Sequence, residues 1–125
     1  MKTKATFRVI IAGSRGFNDY AVLQTVCDNL LAKKEQTHNI VIISGTVRGA
    51  DSLGEKYARE RGYTVERFPA YWQQYGKAAG PIRNRQMADN ADALIAFWDG
   101  QSKGTKDMIM ESKKKGIAVR VIYNK

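Results

Sequence analysis

The strongest constraint on this chain is a recurring pair of signals: a short β-branched apolar run, then an amphipathic stretch. "FRVIIAG" (7–13), "NIVIISG" (39–45), "DALIAFW" (92–98) and "IAVRVIY" (117–123) read as strands, and "YTVERF" as a shorter, more polar one. After the first strand, Tyr20, Leu23, Val26, Cys27, Leu30 and Leu31 recur at helical spacing behind a cap at Asn18 or Asp19. Asp51 is expected to cap a second helix that runs to Arg61 and stops at Gly62. "PIRNRQMADNA" forms a third helix with Pro81 in its first turn, and Thr105 caps a fourth that ends in "KKKG".

This alternation predicts an α/β chain with a parallel sheet covered by helices on both faces. Strands one, two and four are almost continuously apolar, as buried central strands require. Strands three and five carry Thr64, Glu66, Arg67 and Arg120, which suits the edges. The five strands therefore take the order 3-2-1-4-5. The 125 residues form one domain, 1–125, without repeats or linkers.

Composition narrows the function classes. Apolar residues are 43% and charged residues 26%, a globular balance. The net charge of +9 favours anionic partners, although lysines at helix ends account for part of it. Cys27 is the only cysteine and falls on an apolar helix face, so it is read as packing in a reducing, cytoplasmic setting. With a single His38 besides, no metal site is expected. The apolar run in "MKTKATFRVIIAG" is short, broken by Arg8 and followed by "GSRG", so neither a signal peptide nor a membrane partner is expected.

Sheets of this order place ligands beyond the carboxyl ends of the strands, where the winding reverses; here that is between strands one and four. The loops meeting there are "GSRGF", "SGTVRGAD" and "WDGQSKGT". Each precedes a helix, whose free N–H groups and partial positive charge attract anions. Gly13, Gly45, Gly49, Gly100 and Gly104 would let the backbone approach. Ser14, Ser44, Ser102 and Thr105 would donate hydroxyl hydrogen bonds, and Arg15 and Arg48 would clasp oxyanions. Asp51, Asn84 and Trp98 complete the expected lining. The three loops together predict a phosphate site. None matches G-x-x-x-x-G-K-[ST] or G-x-G-x-x-G, and His38 precedes strand two, too far for a Ser–His–Asp triad.

Arg83 is placed in the first turn of the third helix, where a cation opposes the helix dipole; a bound anion, or pairing with Asp51, would explain it. Tyr71, Trp72 and Tyr75, in the loop "PAYWQQYGKAAG" (69–80), would either stack on a base or pin the loop to the sheet.

"IAGSRGFNDYAVL", "SGTVRGADSLGEKYARERG" and "FPAYWQQYGKAAGPIRNRQMADNADALIAFWDGQSKGTKDMI" resemble the YspA-like, YpsA-related branch of the SLOG superfamily. The resemblance implies a Rossmann-like three-layer αβα sandwich and a nucleotide-type ligand, with no further cofactor. "SGTVRGAD" is similar to the SG-x-A-R-G-I-D segment of DprA proteins, which bind single-stranded DNA. Val47 and Ala50 depart from it. "IRNRQMADNADALIAF" is similar to the R-K-x-x-M region of LOG phosphoribohydrolases, with Arg83, Met87 and Asp92 in register. Their P-G-G-x-G-T-x-x-E is altered here: Gly100, Gly104 and Thr105 match, but Met108 stands at the catalytic glutamate, with Asp107 one residue early, about 100° around the helix.

Three functions follow as expectations. The first is binding of a phosphorylated nucleotide derivative, related to NAD or ADP-ribose, by a sensor or sequestering module. The second is N-glycosidic hydrolysis of a nucleoside monophosphate, with Arg83, Asp99 and Asp107 as catalytic candidates. The third is binding of single-stranded nucleic acid. A homodimer is implied by the LOG resemblance alone.

Overall fold

Five parallel strands lie in the order β3-β2-β1-β4-β5 in the computed structural model, which describes residues 4–123. The strands are β1 (Ala5–Gly13), β2 (His38–Ser44), β3 (Thr64–Arg67), β4 (Ala93–Trp98) and β5 (Ala118–Tyr123). The long helices are α1 (Tyr20–Thr37), α2 (Ala50–Arg61), α4 (Ala79–Asp89) and α5 (Lys103–Lys115). A four-residue helix α3 (Trp72–Tyr75) and a 3₁₀ turn (Gly76–Ala78) occupy the stretch expected to be a loop. The first residues of "MKTKATFRVIIAG", on which the leader reading partly rested, lie outside the described residues.

Alternation along the central strands divides the core. Val9 and Ile11 of β1, Ile42 of β2 and Phe97 of β4 face α1 and α2, meeting Leu23, Cys27, Tyr57 and Ala58. Ile10 and Ala12, with Ile43, Leu94 and Ala96, face α4 and α5 and meet Met87, Met108 and Ile109. Both faces of β1 are therefore sealed, which is why its sequence is apolar at consecutive positions. The polar strands β3 and β5 are the edges. Cys27 is fully buried, and burial pushes its thiol up to about 12, so it is packing rather than a nucleophile.

Three helix starts differ from expectation. The N-cap of α2 is Gly49, because Asp51 turns its carboxylate back into the preceding loop to accept the Val47 N–H (3.2 Å). The cap of α5 is Ser102, whose Oγ accepts the N–H of Thr105 (3.5 Å), so Thr105 lies in the first turn. Ala79 and Gly80 also join α4, which moves Arg83 to the fifth residue of that helix, beyond its first turn.

Candidate functional site

The carboxyl ends of β1 and β4 are adjacent, Gly13 pairing with Phe97, and the chain leaves them in opposite directions. Loop 14–19 after β1 and loop 99–102 after β4 are tied together at their roots. The Ser14 N–H donates to Phe97 O (3.0 Å) and the Asp99 N–H to Ser14 Oγ (3.1 Å). Loop 45–49 packs backbone to backbone against loop 14–19. Gly49 has φ of +87°, and a Cβ there would lie 2.4 Å from Ser14 O, so both conformation and space exclude other residues.

Between these loops and the start of α4 opens a cleft of about 580 Å³. It is lined by Gly13, Ser14, Arg15 and Gly16 from the first loop, and by Asp99 and Ser102–Thr105 from the third. Val47 and Asp51 close one side; Arg83, Asn84 and Asp107 close another. The backbone N–H groups of Arg15, Gly16, Lys103 and Gly104 take no hydrogen-bond partner among the described residues, and all four residues line the cleft. The latter two lie at the start of α5, where the helix dipole adds positive potential. Gly16 and Lys103 were not singled out from sequence; Lys103 follows directly on the capping Ser102, which was the available signal.

The other amides of these turns are already engaged. Asp99 Oδ1 accepts the N–H groups of Gln101 and Ser102 (both 2.8 Å), which holds its carboxyl below the usual range. The expectation that all three loops turn their amides to one anion is thereby corrected: two acidic side chains of the protein occupy part of the second and third turns. The free donors belong to the first loop and α5.

Arg83 and Asn84 form the polar floor. Asn84 is buried; its Nδ2 donates to Asp107 Oδ2 (2.9 Å) and Gly104 O (3.3 Å), while its Oδ1 accepts from Arg83 Nε (2.9 Å). Arg83 Nη1 donates to Gly45 O (2.5 Å). A chain of hydrogen bonds thus runs from α5 across α4 to the end of β2. Burial lowers the Arg83 pKa, Asp51 and Asp107 oppose that shift, and the nearby Arg15 charge adds to it. Asp51 is buried, and loss of hydration pushes its carboxyl up to about 7, against the stabilising Val47 N–H and Arg83 charge. A buried carboxyl shifted this far, in a cleft, is a recurrent mark of functional sites.

Several predicted site residues lie elsewhere. Ser44 Oγ donates to Glu55 Oε2 (2.7 Å) and accepts the Thr46 N–H (3.1 Å), so it braces the second loop rather than facing the cleft. Gly13 lines the cleft, and its lack of a side chain serves packing, since a Cβ would lie 2.2 Å from Phe97 O. Gly100 sits in the turn beyond Asp99, away from the cleft. Trp98 Nε1 donates to Ser102 O (3.0 Å) and its ring lies against Tyr123, so it fastens the third loop. Tyr71 and Tyr75 are exposed and do not line the cleft or the cavity beside it; of the three aromatics Trp72 alone borders both. Gly45 and Arg48 line a neighbouring cavity of about 340 Å³, which shares Arg15, Val47, Trp72 and Arg83 with the main cleft. Asp107 reaches the cleft despite its one-residue offset, through its bond to Asn84.

His38 starts β2, at the opposite end of the sheet from the cleft. Among the described residues no three His, Cys, Asp or Glu side chains cluster as metal ligands, and no helix is long and apolar enough to cross a membrane.

Residues 7–75 match the model of the YspA, cpYpsA-related SLOG family. The Gene 61 protein of Mycobacterium phage D29 is 37% identical over 119 residues, which span 90% of this chain and 93% of that one. The structure of DNA processing protein A (DprA) from Streptococcus pneumoniae superposes with a TM-score of 0.73 at 18% identity. The match covers 97% of this chain and 51% of that one, so this chain spans about half the length of DprA. The structure of TM1055 superposes with a TM-score of 0.61 at 22% identity, over 94% of this chain and 72% of that one. These two likenesses support the Rossmann-like αβα fold. The family match over residues 7–75 and the phage relative assign the chain: it belongs to the YspA, cpYpsA-related SLOG family.

Proposed function

We propose that this protein binds a phosphorylated nucleotide derivative at the switch point between β1 and β4, as a sensing or sequestering module. One observation carries the reading. Unpartnered backbone amides of Arg15, Gly16, Lys103 and Gly104 meet the Arg15 and Arg83 side chains around a single cleft. Donors fixed in advance by one loop and a helix start are the chemistry of a phosphoryl site. Asn84 holds Arg83 toward it. Trp72, half exposed at the rim, offers a flat face to a base. The test is thermal stabilisation by nucleoside monophosphates, NAD and ADP-ribose. A ligand at 100 times its Kd stabilises by roughly 2.7 kcal/mol, and Arg15→Ala with Arg83→Ala removes the effect.

A second reading, hydrolysis of the N-glycosidic bond, draws on Asp51 and Asp107, which both line the cleft. A carboxylate beside the ribose would stabilise the positive charge of an oxocarbenium-like centre. Release of free base from a nucleotide panel, lost in Asp107→Asn, distinguishes it. Binding of single-stranded nucleic acid, in keeping with the +9 charge, predicts oligonucleotide affinity that falls steeply with salt.

A further inference from the structure

We propose that the ligand carries two separate phosphoryl groups, and that the cavity bounded by Arg15, Arg48 and Arg83 is the second anion subsite. The inference rests on the reading of the main cleft as the first. The cavity, about 340 Å³, is walled by those three arginines together with Gly45, Thr46 and Val47, and by Pro69, Ala70 and Trp72. No carboxylate lines it. Among the described residues, none of the three arginines makes an ion pair, whereas Arg8, Arg61 and Arg67 are paired with Glu66, Asp28 and Glu55. Three guanidiniums border one small hollow, a setting that suits an anion; burial lowers the Arg83 pKa and the Arg15 charge adds to it, against the opposing Asp51.

The backbone is bent to make this hollow. Thr46, on its wall, has φ of +66°, a left-handed conformation that a β-branched residue adopts only under constraint. The Ser44 hydroxyl holds it there through the Thr46 N–H. Gly45 keeps the floor open between Asp51 and Arg83.

Arg15 and Arg83 border both cavities and so reach both phosphoryl groups; Arg48 borders only the second. Two cavities sharing a wall fit anions held apart by a sugar better than one continuous diphosphate. Nucleoside 3′,5′-bisphosphates and 5′-phosphorylated dinucleotides both have that chemistry.

The assay is calorimetric titration of the full chain with the four nucleoside 5′-monophosphates, the matching 3′,5′-bisphosphates, 5′-phosphorylated dinucleotides, and NAD as the diphosphate control. In the wild type, at least one two-phosphate class binds ten times or more tighter than its monophosphate and tighter than NAD; whichever class leads identifies the source. Arg48→Ala, a change on the exposed loop, erases that advantage while monophosphate affinity stays within twofold. Monophosphate binding without a two-phosphate advantage overturns this inference alone. So does an Arg48→Ala loss shared equally by both classes. Failure of every nucleotide to bind overturns it together with the reading of the main cleft.

Discussion

Asp51 and Arg83 stand on either side of Gly45, so close that a Cβ at that glycine would lie 2.8 Å from Asp51 Oδ2 and 2.9 Å from Arg83 Nη1. Yet they form no ion pair: Asp51 accepts from Val47 N–H, and Arg83 donates to Gly45 O and Asn84. An acid and a base held near each other but bonded elsewhere leave the guanidinium able to receive a third group.

The first consequence concerns pH. The Asp51 carboxyl titrates at about 7 in the folded chain against an ordinary value of 3.8. Between those values the folded chain holds a proton that the unfolded chain has released. The contribution of this group to stability therefore falls as pH rises through the window, by up to about 1.4 kcal/mol per pH unit. Urea denaturation from pH 4 to 8 is expected to show this fall superimposed on the other titrations, and Asp51→Asn to remove it. A bound anion resists ionisation of Asp51, so ligand affinity should also drop between pH 7 and 9 in the wild type and stay level in Asp51→Asn. An unchanged pH profile in the variant contradicts the assignment.

Gly45→Ala drives a methyl group between those two side chains. Overpacking of this kind costs about 1–3 kcal/mol. Displacement of Arg83 should weaken nucleotide binding at least tenfold, as read by calorimetry, while the circular dichroism spectrum stays that of the wild type. Wild-type affinity in this variant means that Arg83 does not touch the ligand.

Asn84 is the joint between α4 and α5. Asn84→Ala strands Asp107, Gly104 O and Arg83 Nε without their partner, which costs roughly 1–3 kcal/mol in a buried setting. Asn84→Asp keeps the shape but sets a second carboxylate beside Asp107. Both variants should lose stability in urea denaturation, and the aspartate should lose more ligand affinity than the alanine, because it adds negative charge beside the anion. The reverse order argues that Asn84 has no part in shaping the site.

If the cleft hydrolyses nucleotides, Asp107→Asn and Asp51→Asn abolish base release while retaining binding, since neither is needed to hold phosphate. Chromatography of a nucleoside monophosphate panel after incubation decides it. Absence of free base with the wild type leaves a binding protein.

Strand order was legible because burial on two faces writes itself into consecutive apolar residues, as in Val9–Ala12, while Glu66 and Arg120 mark the edges. Arg15 stood out because an arginine in a glycine-rich turn after a strand suits an oxyanion; Arg83 stood out because a cation in a helix's first turn is out of place, and although the structure sets it just beyond that turn, it still lines the cleft. What the sequence did not reveal depended on side-chain direction. Asp51 and Asp99 each have an acid's usual place beside a helix start, yet both turn into their own loops and use amides that would otherwise be free. Ser44 looks from sequence like Ser14 but lies against Glu55. Trp98 and Trp72 were both candidates to stack on a base, and only three-dimensional packing puts one on Tyr123 and the other along the cleft. The short helix α3 escaped notice because four residues are too few to show a period.

The most direct test of the central claim is thermal unfolding of the wild type and of the Arg15→Ala, Arg83→Ala double variant, each with and without saturating nucleotide. The expected result is a ligand-dependent rise in Tm for the wild type, no rise for the double variant, and a cooperative unliganded transition in both. An equal rise in both proteins, or none in the wild type across monophosphates, bisphosphates, NAD and ADP-ribose, contradicts it.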